Sequence, residues 1–329
     1  MRILVTGGCG FIGSHFVRKA LAEGAEVVNL DALTYAGNPA NLADVDGAPG
    51  YQFVHGDVRD RRLVTEVVAG CDAVAHFAAE SHVDRSIDGS DDFITTNVVG
   101  THSLLDAAYR AEVGRFLHIS TDEVYGSVAA PHDSRETDAL EPNSPYSASK
   151  ASADLLARAY RETYGYPVSV TRTTNNYGPF QFPEKVVPLF VTNLLDGEPV
   201  PLYGSGENVR DWLYVTDNVD AQWRVLTEAP PGSVYNVGVG AGISNLELTE
   251  AILEATGRDA SMIRHVADRP GHDLRYAVDT TRITGELGWA PSHSLTDGLA
   301  ATVAWYQQRP DWWRPLKAAG ASRRRGVAG

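Results

Sequence analysis

Short apolar runs alternate with segments of helical spacing through the first half of the chain. Residues 2–6 form an apolar run closed by glycines, which reads as a buried strand. Phe16, Val17, Ala20 and Leu21 then share one face of a helix over 14–23. Glu26–Asp31, Tyr51–His55, Ala73–Phe77, Arg115–Ser120 and Val168–Arg172 read as five further strands. Helical patterns lie between them, notably over 91–112 and 146–164. This alternation predicts an α/β fold, a Rossmann-type doubly wound parallel sheet covered by helices on both faces.

The rhythm changes after residue 178. Pro179, Pro183, Pro188, Pro199, Pro201, Gly204 and Gly206 interrupt it. We therefore expect a first domain over 1–178 and a second, smaller α/β domain over 179–329. Parts of 211–240, the helix-like 217–228 and the strand-like Val234–Val237, are able to rejoin the first sheet. The 329 residues are compatible with two domains of ordinary size.

Composition narrows the function classes. Hydrophobic residues at 43% and charged residues at 21% are those of a soluble globular protein. No apolar run approaches the roughly 18 residues of a membrane span. The net charge of −14 argues against nucleic acid or an anionic membrane as a partner. An anionic ligand must then be met by local arginines, lysines and backbone amides. Cys9 and Cys71 form no disulfide framework, and no histidine pair has metal-site spacing with a carboxylate partner, so no metal is expected and a cytoplasmic location is. His15, His55, His76 and His118 read as core or capping residues. The run Arg323–Arg325 sits in a tail rich in Gly, Ala and Ser, which reads as a disordered, solvated end.

The candidate chemistry begins at Gly7-Gly8-Cys9-Gly10-Phe11-Ile12-Gly13. Gly8, Gly10 and Gly13 spell the common dinucleotide spacing, and Gly7, Gly10 and Gly13 a looser one. In either, glycines bring a strand–helix turn close to a pyrophosphate, whose charge rests on the helix N-terminus. Following a strand and opening a helix is the context such a turn requires. Asp31, at the end of the second strand, can accept hydrogen bonds from ribose hydroxyls and would repel a 2′-phosphate, so NAD is favoured over NADP. Asp57 and Val58, after the third strand, are candidates for the adenine.

Tyr146 and Lys150 stand four apart in a helical segment and so share a face. A neighbouring ammonium, together with nicotinamide charge, is expected to bring the phenol toward a working range as a base for a sugar hydroxyl. With the glycine turn and a strand ending in Ser120-Thr121, this combination resembles the extended short-chain dehydrogenase/reductase family along nearly the whole chain. Thr121-Asp122-Glu123-Val124-Tyr125-Gly126, Ala78–Ser86, Asn175–Pro179 and Pro183-Glu184-Lys185 resemble the branch of that family that dehydrates dTDP-glucose. Relatives that only oxidise or epimerise mostly carry small or hydroxyl residues where Asp122 and Glu123 stand. Phe180 departs from the tyrosine frequent in the family, and Thr173-Thr174 from its Cys or Ser.

Water elimination across C5 and C6 of a hexose needs a base and an acid, which two carboxyl groups can supply. Neighbours in a regular strand face opposite ways, so the pair is expected where the backbone turns at the strand's C-terminal end. Sequence alone does not order the two acids. The resemblance implies Tyr146 as base at the C4 hydroxyl, Glu123 as base at C5, Asp122 as acid at C6, and Thr121 on the C4 hydroxyl. It further implies cofactor contacts from Phe11, Ile12, Thr34, Ala78, Ala79, Ser81, Asn176, Tyr146 and Lys150. Substrate contacts would come from Ser81, Thr96, Thr121, Asn175, Lys185, Val186, Pro201, Tyr203, Arg210, Asn245, Arg269 and His272, with Arg275 a further candidate. A homodimer through the helices near 91–112 and 146–164 is implied too. A nucleotide-sugar 4-epimerase or decarboxylase of the same fold would keep the glycines, Tyr146 and Lys150 without needing the acid pair. A non-enzymatic NAD-sensing regulator would need neither pair.

Overall fold

Strands apolar on both faces are satisfied only between two helical layers. They are so placed in the computed structural model, which describes residues 1–268 and 271–326. β1 (Arg2–Thr6), β2 (Glu26–Asp31), β3 (Tyr51–His55), β4 (Ala73–His76), β5 (Arg115–Thr121) and β6 (Val168–Thr173) form a seven-stranded sheet together with Val234–Val237. Its order is Val234–Val237, β6, β5, β4, β1, β2, β3, and every pairing is parallel. The chain runs outward from β1 through β3, then returns to β4 and runs the other way. The crevice at the carboxyl ends of β1 and β4 is therefore the switch point, where open α/β sheets bind ligands.

One face of the sheet is covered by α1 (Phe11–Ala22) and the helix Val215–Thr227. Phe16, Val17 and Ala20 of α1 are completely buried there. The two larger side chains each contribute about 1.5–3 kcal/mol, which outweighs the roughly 1 kcal/mol lost by Gly13 within the helix. The opposite face is covered by Arg61–Val68, Thr101–Arg110 and Pro145–Tyr164. Ahead of Thr101 the expected long helix is interrupted by a π-helical stretch, Ile94–Gly100.

Beyond β6 the chain forms three small strand pairs and a separate apolar core among the helices Val186–Asp196, Asn245–Ala255 and Leu295–Gln308. The final helix, Pro310–Gly326, leans back on the sheet region. Trp312 Nε1 donates to Asn41 Oδ1 at 3.0 Å, and Asn41 Nδ2 donates to the Cys9 carbonyl at 2.9 Å. The expectation of a disordered tail over Arg323–Arg325 fails: the backbone is helical through Gly326. Alanine and arginine are strong helix formers, and here they outweigh the scattered glycine and serine. Among the described residues no helix is long and apolar enough to cross a membrane.

Candidate active site

The glycine turn shows why glycine is needed. Gly7 has φ +71°, and a Cβ on it would lie 2.7 Å from the Ala78 nitrogen. A Cβ on Gly13 would lie 2.2 Å from the Gly7 carbonyl oxygen. Gly7, Gly10 and Gly13 line a cleft of about 520 Å³, with Gly10 as the N-cap of α1. Gly8 faces away, its N–H donating to Asn29 Oδ1 at 3.0 Å. The same cleft is lined by Phe11, Ile12, Asp31, Thr34, Asp57, Val58, Ala78, Ala79, Ser81, Thr96, Asn175, Asn176 and Lys185. Asp31 is anchored by the N–H groups of Cys9 and Leu33, both at 2.8 Å, and burial pushes its carboxyl upward. Asp57 is paired with Arg59 at 2.6 Å. A glycine cradle, a helix N-terminus and an anchored carboxylate together fit a dinucleotide.

At the other end of the cleft stand Thr121, Glu123, Tyr146 and Lys150. β5 ends at Thr121, and a 3₁₀ turn, Asp122–Tyr125, redirects the chain. Thr121 caps that turn by accepting from the Glu123 N–H at 3.3 Å and donates to Asp122 Oδ1 at 3.2 Å. The helix Pro145–Tyr164 is set by a Ser144–Ser147 capping box, Pro145 in its first turn and Gly165 in the left-handed region after its end. That start puts Tyr146 in the first turn and Lys150 one turn later. Lys150 Nζ donates to the Ile119 carbonyl at 2.6 Å.

Burial dominates the electrostatics. Asp122 is raised to about 8 by burial and by the neighbouring Glu123. Lys150 is lowered to about 8 by burial, opposed by Asp154. Tyr146 departs from expectation: burial first, then the charge of Glu123, push its phenol upward, while a hydrogen bond with Thr121 works the other way. Removal from water and the neighbouring acids outweigh the ammonium of Lys150, which is engaged by a backbone carbonyl. The helix N-terminus beneath Tyr146 is the compensating positive field the chain supplies. The predicted core histidines include His76, held between the hydroxyls of Thr6 and Thr101, and His118, 3.4 Å from Asp154.

The remaining expected substrate residues do not line the cleft. Val186 begins a helix directly after Lys185, whose ammonium donates to the Ser81 carbonyl at 2.7 Å. Arg210 is buried, donating to the carbonyls of Val209 and Asp273, with Tyr276 stacked 4.2 Å away. Tyr203 reaches Asp84 at 3.4 Å and stands edge-on to His272, which pairs with Asp268 at 2.7 Å. Pro201 lies in the strand Val200–Tyr203, and Asn245 opens the helix Asn245–Ala255. Arg275 is paired with Asp133 at 2.6 Å. Arg269 lies outside the described residues. Lining residues that sequence reasoning missed include Tyr35, Arg59, Glu80, Arg85, Gln181 and Glu184. Glu80, Arg85 and Glu184 fall inside the segments that carried the resemblance, which was their available signal. Tyr35, with Arg85 stacked 3.9 Å over its ring, had none. Among the described residues no group of three or more His, Cys, Asp or Glu is placed to hold a metal ion.

A family model described as GDP-mannose 4,6 dehydratase matches residues 4–302. A dTDP-glucose 4,6-dehydratase of Streptomyces griseus is 56% identical, over 97% of this chain and 98% of that protein. The dTDP-glucose 4,6-dehydratase DesIV of Streptomyces venezuelae, solved with NAD and dTDP bound, superposes with a TM-score of 0.94 at 55% identity, over 96% of this chain and all of that one. A UDP-glucose 4-epimerase of Thermus thermophilus, solved with NAD, reaches a TM-score of 0.87 at 34% identity, over 93% and 99%. Backbone similarity thus extends to enzymes of both chemistries, and side chains must separate them.

Proposed function

The chain belongs to the GDP-mannose 4,6 dehydratase family, and on that premise we propose that it is an NAD-dependent lyase converting dTDP-glucose to dTDP-4-keto-6-deoxyglucose and water. The choice of dTDP-glucose follows its 56%-identical relative rather than the family description. One observation carries the dehydratase reading over the epimerase reading. Glu123 lines the cleft, its neighbour Asp122 on the same turn after β5 is buried and does not line it, and their charges act on each other and on Tyr146.

NAD, which Gly7, Gly10, Gly13 and Asp31 would hold, would supply a reversible hydride acceptor and a positive ring that favours a phenolate. Tyr146 takes the C4 hydroxyl proton, with Thr121 holding that hydroxyl and Lys150 fixing the helix face against β5. The C4 ketone acidifies the C5 proton, which Glu123 removes. Asp122, raised to about 8 and therefore protonated at neutral pH, donates to the departing C6 hydroxyl. Asp31 receives the ribose hydroxyls, and Lys185 and Arg210 face the pyrophosphate. The protein acts as a cytoplasmic homodimer. Ile94, Val99, Leu155 and Tyr164 support that assembly by leaving apolar side chains exposed on the helical stretches 91–110 and 145–164.

The test is incubation with dTDP-, UDP-, GDP- and CDP-hexoses followed by product mass. A dehydratase removes one water from dTDP-glucose, whereas an epimerase leaves the mass unchanged. Glu123→Gln lowers kcat by about 10²–10⁴-fold and accumulates reduced cofactor, seen by its absorbance. Full turnover in that variant overturns the assignment of Glu123.

A further inference from the structure

The turn that carries Asp122 and Glu123 and the helix that carries Tyr146 and Lys150 are separate elements, and a buried chain of hydrogen bonds joins them. Tyr125 is the last residue of that turn, and its side chain is buried. Its hydroxyl donates to Asn236 Oδ1 at 2.7 Å and accepts from Arg172 Nη1 at 2.8 Å. Arg172 Nε donates to Asp154 Oδ2 at 2.8 Å. Asp154 lies on the helix Pro145–Tyr164, one turn beyond Lys150. Strand register assembles the chain. Arg172 of β6 stands between Ser120 of β5 and Asn236 of the strand Val234–Val237, and Asp122 follows two residues after Ser120. Both ends are tied down further: Arg172 Nη1 also donates to the Glu136 carbonyl at 3.2 Å, and Asn236 Nδ2 donates to the Ser134 carbonyl at 2.8 Å.

Tyr125, Asp154, Arg172 and Asn236 are all buried, and none of them lines the cleft. They act only through what they hold. Burying a charge pair is a poor source of stability, because desolvation offsets the attraction. The apolar contacts between turn and helix, Val124 and Tyr125 against Ala151, are non-directional. A planar guanidinium supplies direction, since its N–H groups bond their partners along fixed lines. With Nε on the helix and Nη1 on the turn, Arg172 sets the spacing between the two elements. That spacing matters to the chemistry. One hexose must meet Tyr146 for oxidation at C4 and then the acid pair for loss of water, and a misplacement of about 1 Å costs on the order of 10²-fold.

We propose that Tyr125 is a positioning residue: through Arg172 and Asp154 it fixes the turn Asp122–Tyr125 against the helix Pro145–Tyr164, so that the acid pair and Tyr146 address the same sugar ring. The inference rests on the dehydratase reading of the same site.

The experiment compares the wild-type holoenzyme with Tyr125→Phe, which keeps the ring 4.9 Å from the Arg172 guanidinium and removes only the hydroxyl. In a single turnover with dTDP-glucose, reduced cofactor should appear at the wild-type rate, because the helix bearing Tyr146 is unaltered. It should decay about tenfold to a hundredfold more slowly, because elimination must precede hydride return. Equal slowing of both phases, or of neither, overturns the proposal. Arg172→Lys keeps a cation beside Asp154 without the fork that also reaches Tyr125, and should show the same selective slowing. It decides the question if Tyr125→Phe does not fold, and a wild-type decay rate in Arg172→Lys overturns the proposal. Amide hydrogen exchange reads the clamp without any sugar. Residues 122–126 should exchange about tenfold faster in Tyr125→Phe while the helix Pro145–Tyr164 keeps its protection. Unaltered exchange over 122–126 refutes the clamp. A wild type that leaves dTDP-glucose untouched refutes the dehydratase reading instead, and the exchange result still decides whether Tyr125 holds the turn.

Discussion

Asp122 and Lys150 are displaced in opposite directions by the same cause, removal from water, and both reach about 8. For Asp122 this has a consequence for stability. An aspartate ordinarily releases its proton near 3.9. The folded protein holds that proton while the unfolded chain loses it, so raising the pH from about 4 to about 8 progressively withdraws stability. Asp122→Asn removes this titration while keeping an acceptor for Thr121. Its melting temperature should match that of the wild type near pH 4 and exceed it increasingly toward pH 8, with turnover lost. Calorimetry across that range is the check, and a constant difference would show that Asp122 is ionised in the folded protein.

The element that carries most of the cofactor geometry is the β1–α1 turn. Gly7 and Gly13 are required there by close approach of backbone to backbone, which no rotamer change relieves. Gly13→Ala is the sharp case. By helix propensity alone the substitution should stabilise by about 1 kcal/mol. A Cβ 2.2 Å from the Gly7 oxygen and 2.9 Å from its carbonyl carbon should reverse that sign. Melting temperature should fall, and NAD affinity by titration calorimetry should weaken by about 10²-fold or more. Gly10→Ala, whose nearest atom would be 3.1 Å away, should be milder on both counts. The helix Pro145–Tyr164 works by the opposite principle: its capping box and closing glycine fix its start and end, and so the height of Tyr146 above the sheet.

At the scale of the whole molecule, a chain carrying −14 binds a dianionic diphosphate by local means. The cationic groups are collected from distant segments: Arg85 and Lys185 line the cleft, and the buried Arg210 acts on Asp122. The C-terminal helix takes part in holding these halves together, because Trp312 reaches the glycine turn through Asn41. The exposed apolar residues on the stretches 91–110 and 145–164 belong to this scale too. Leu155, 54% exposed, is the position to test. Leu155→Asp should convert a dimer to a monomer in sedimentation or light scattering, since an unpaired charge in an apolar interface costs several kcal/mol. A monomeric wild type would remove the homodimer from the reading.

The alternation of strands and helices, the parallel sheet and the glycine turn were legible in the chain itself, because strand and helix periodicities are set by near neighbours. So was the sharing of one helical face by Tyr146 and Lys150, which needs only their spacing of four. The placement of Asp122-Glu123 just past β5 followed from strand geometry, since a continuing strand would have sent the two side chains apart. Tertiary structure alone decided the rest. It raised the phenol of Tyr146 where an ammonium was expected to lower it, and put Tyr35 and Arg85 at the cleft. Each of these depends on desolvation and on charges contributed by segments far apart in the chain. Such quantities are properties of packed atoms, and no local pattern encodes them.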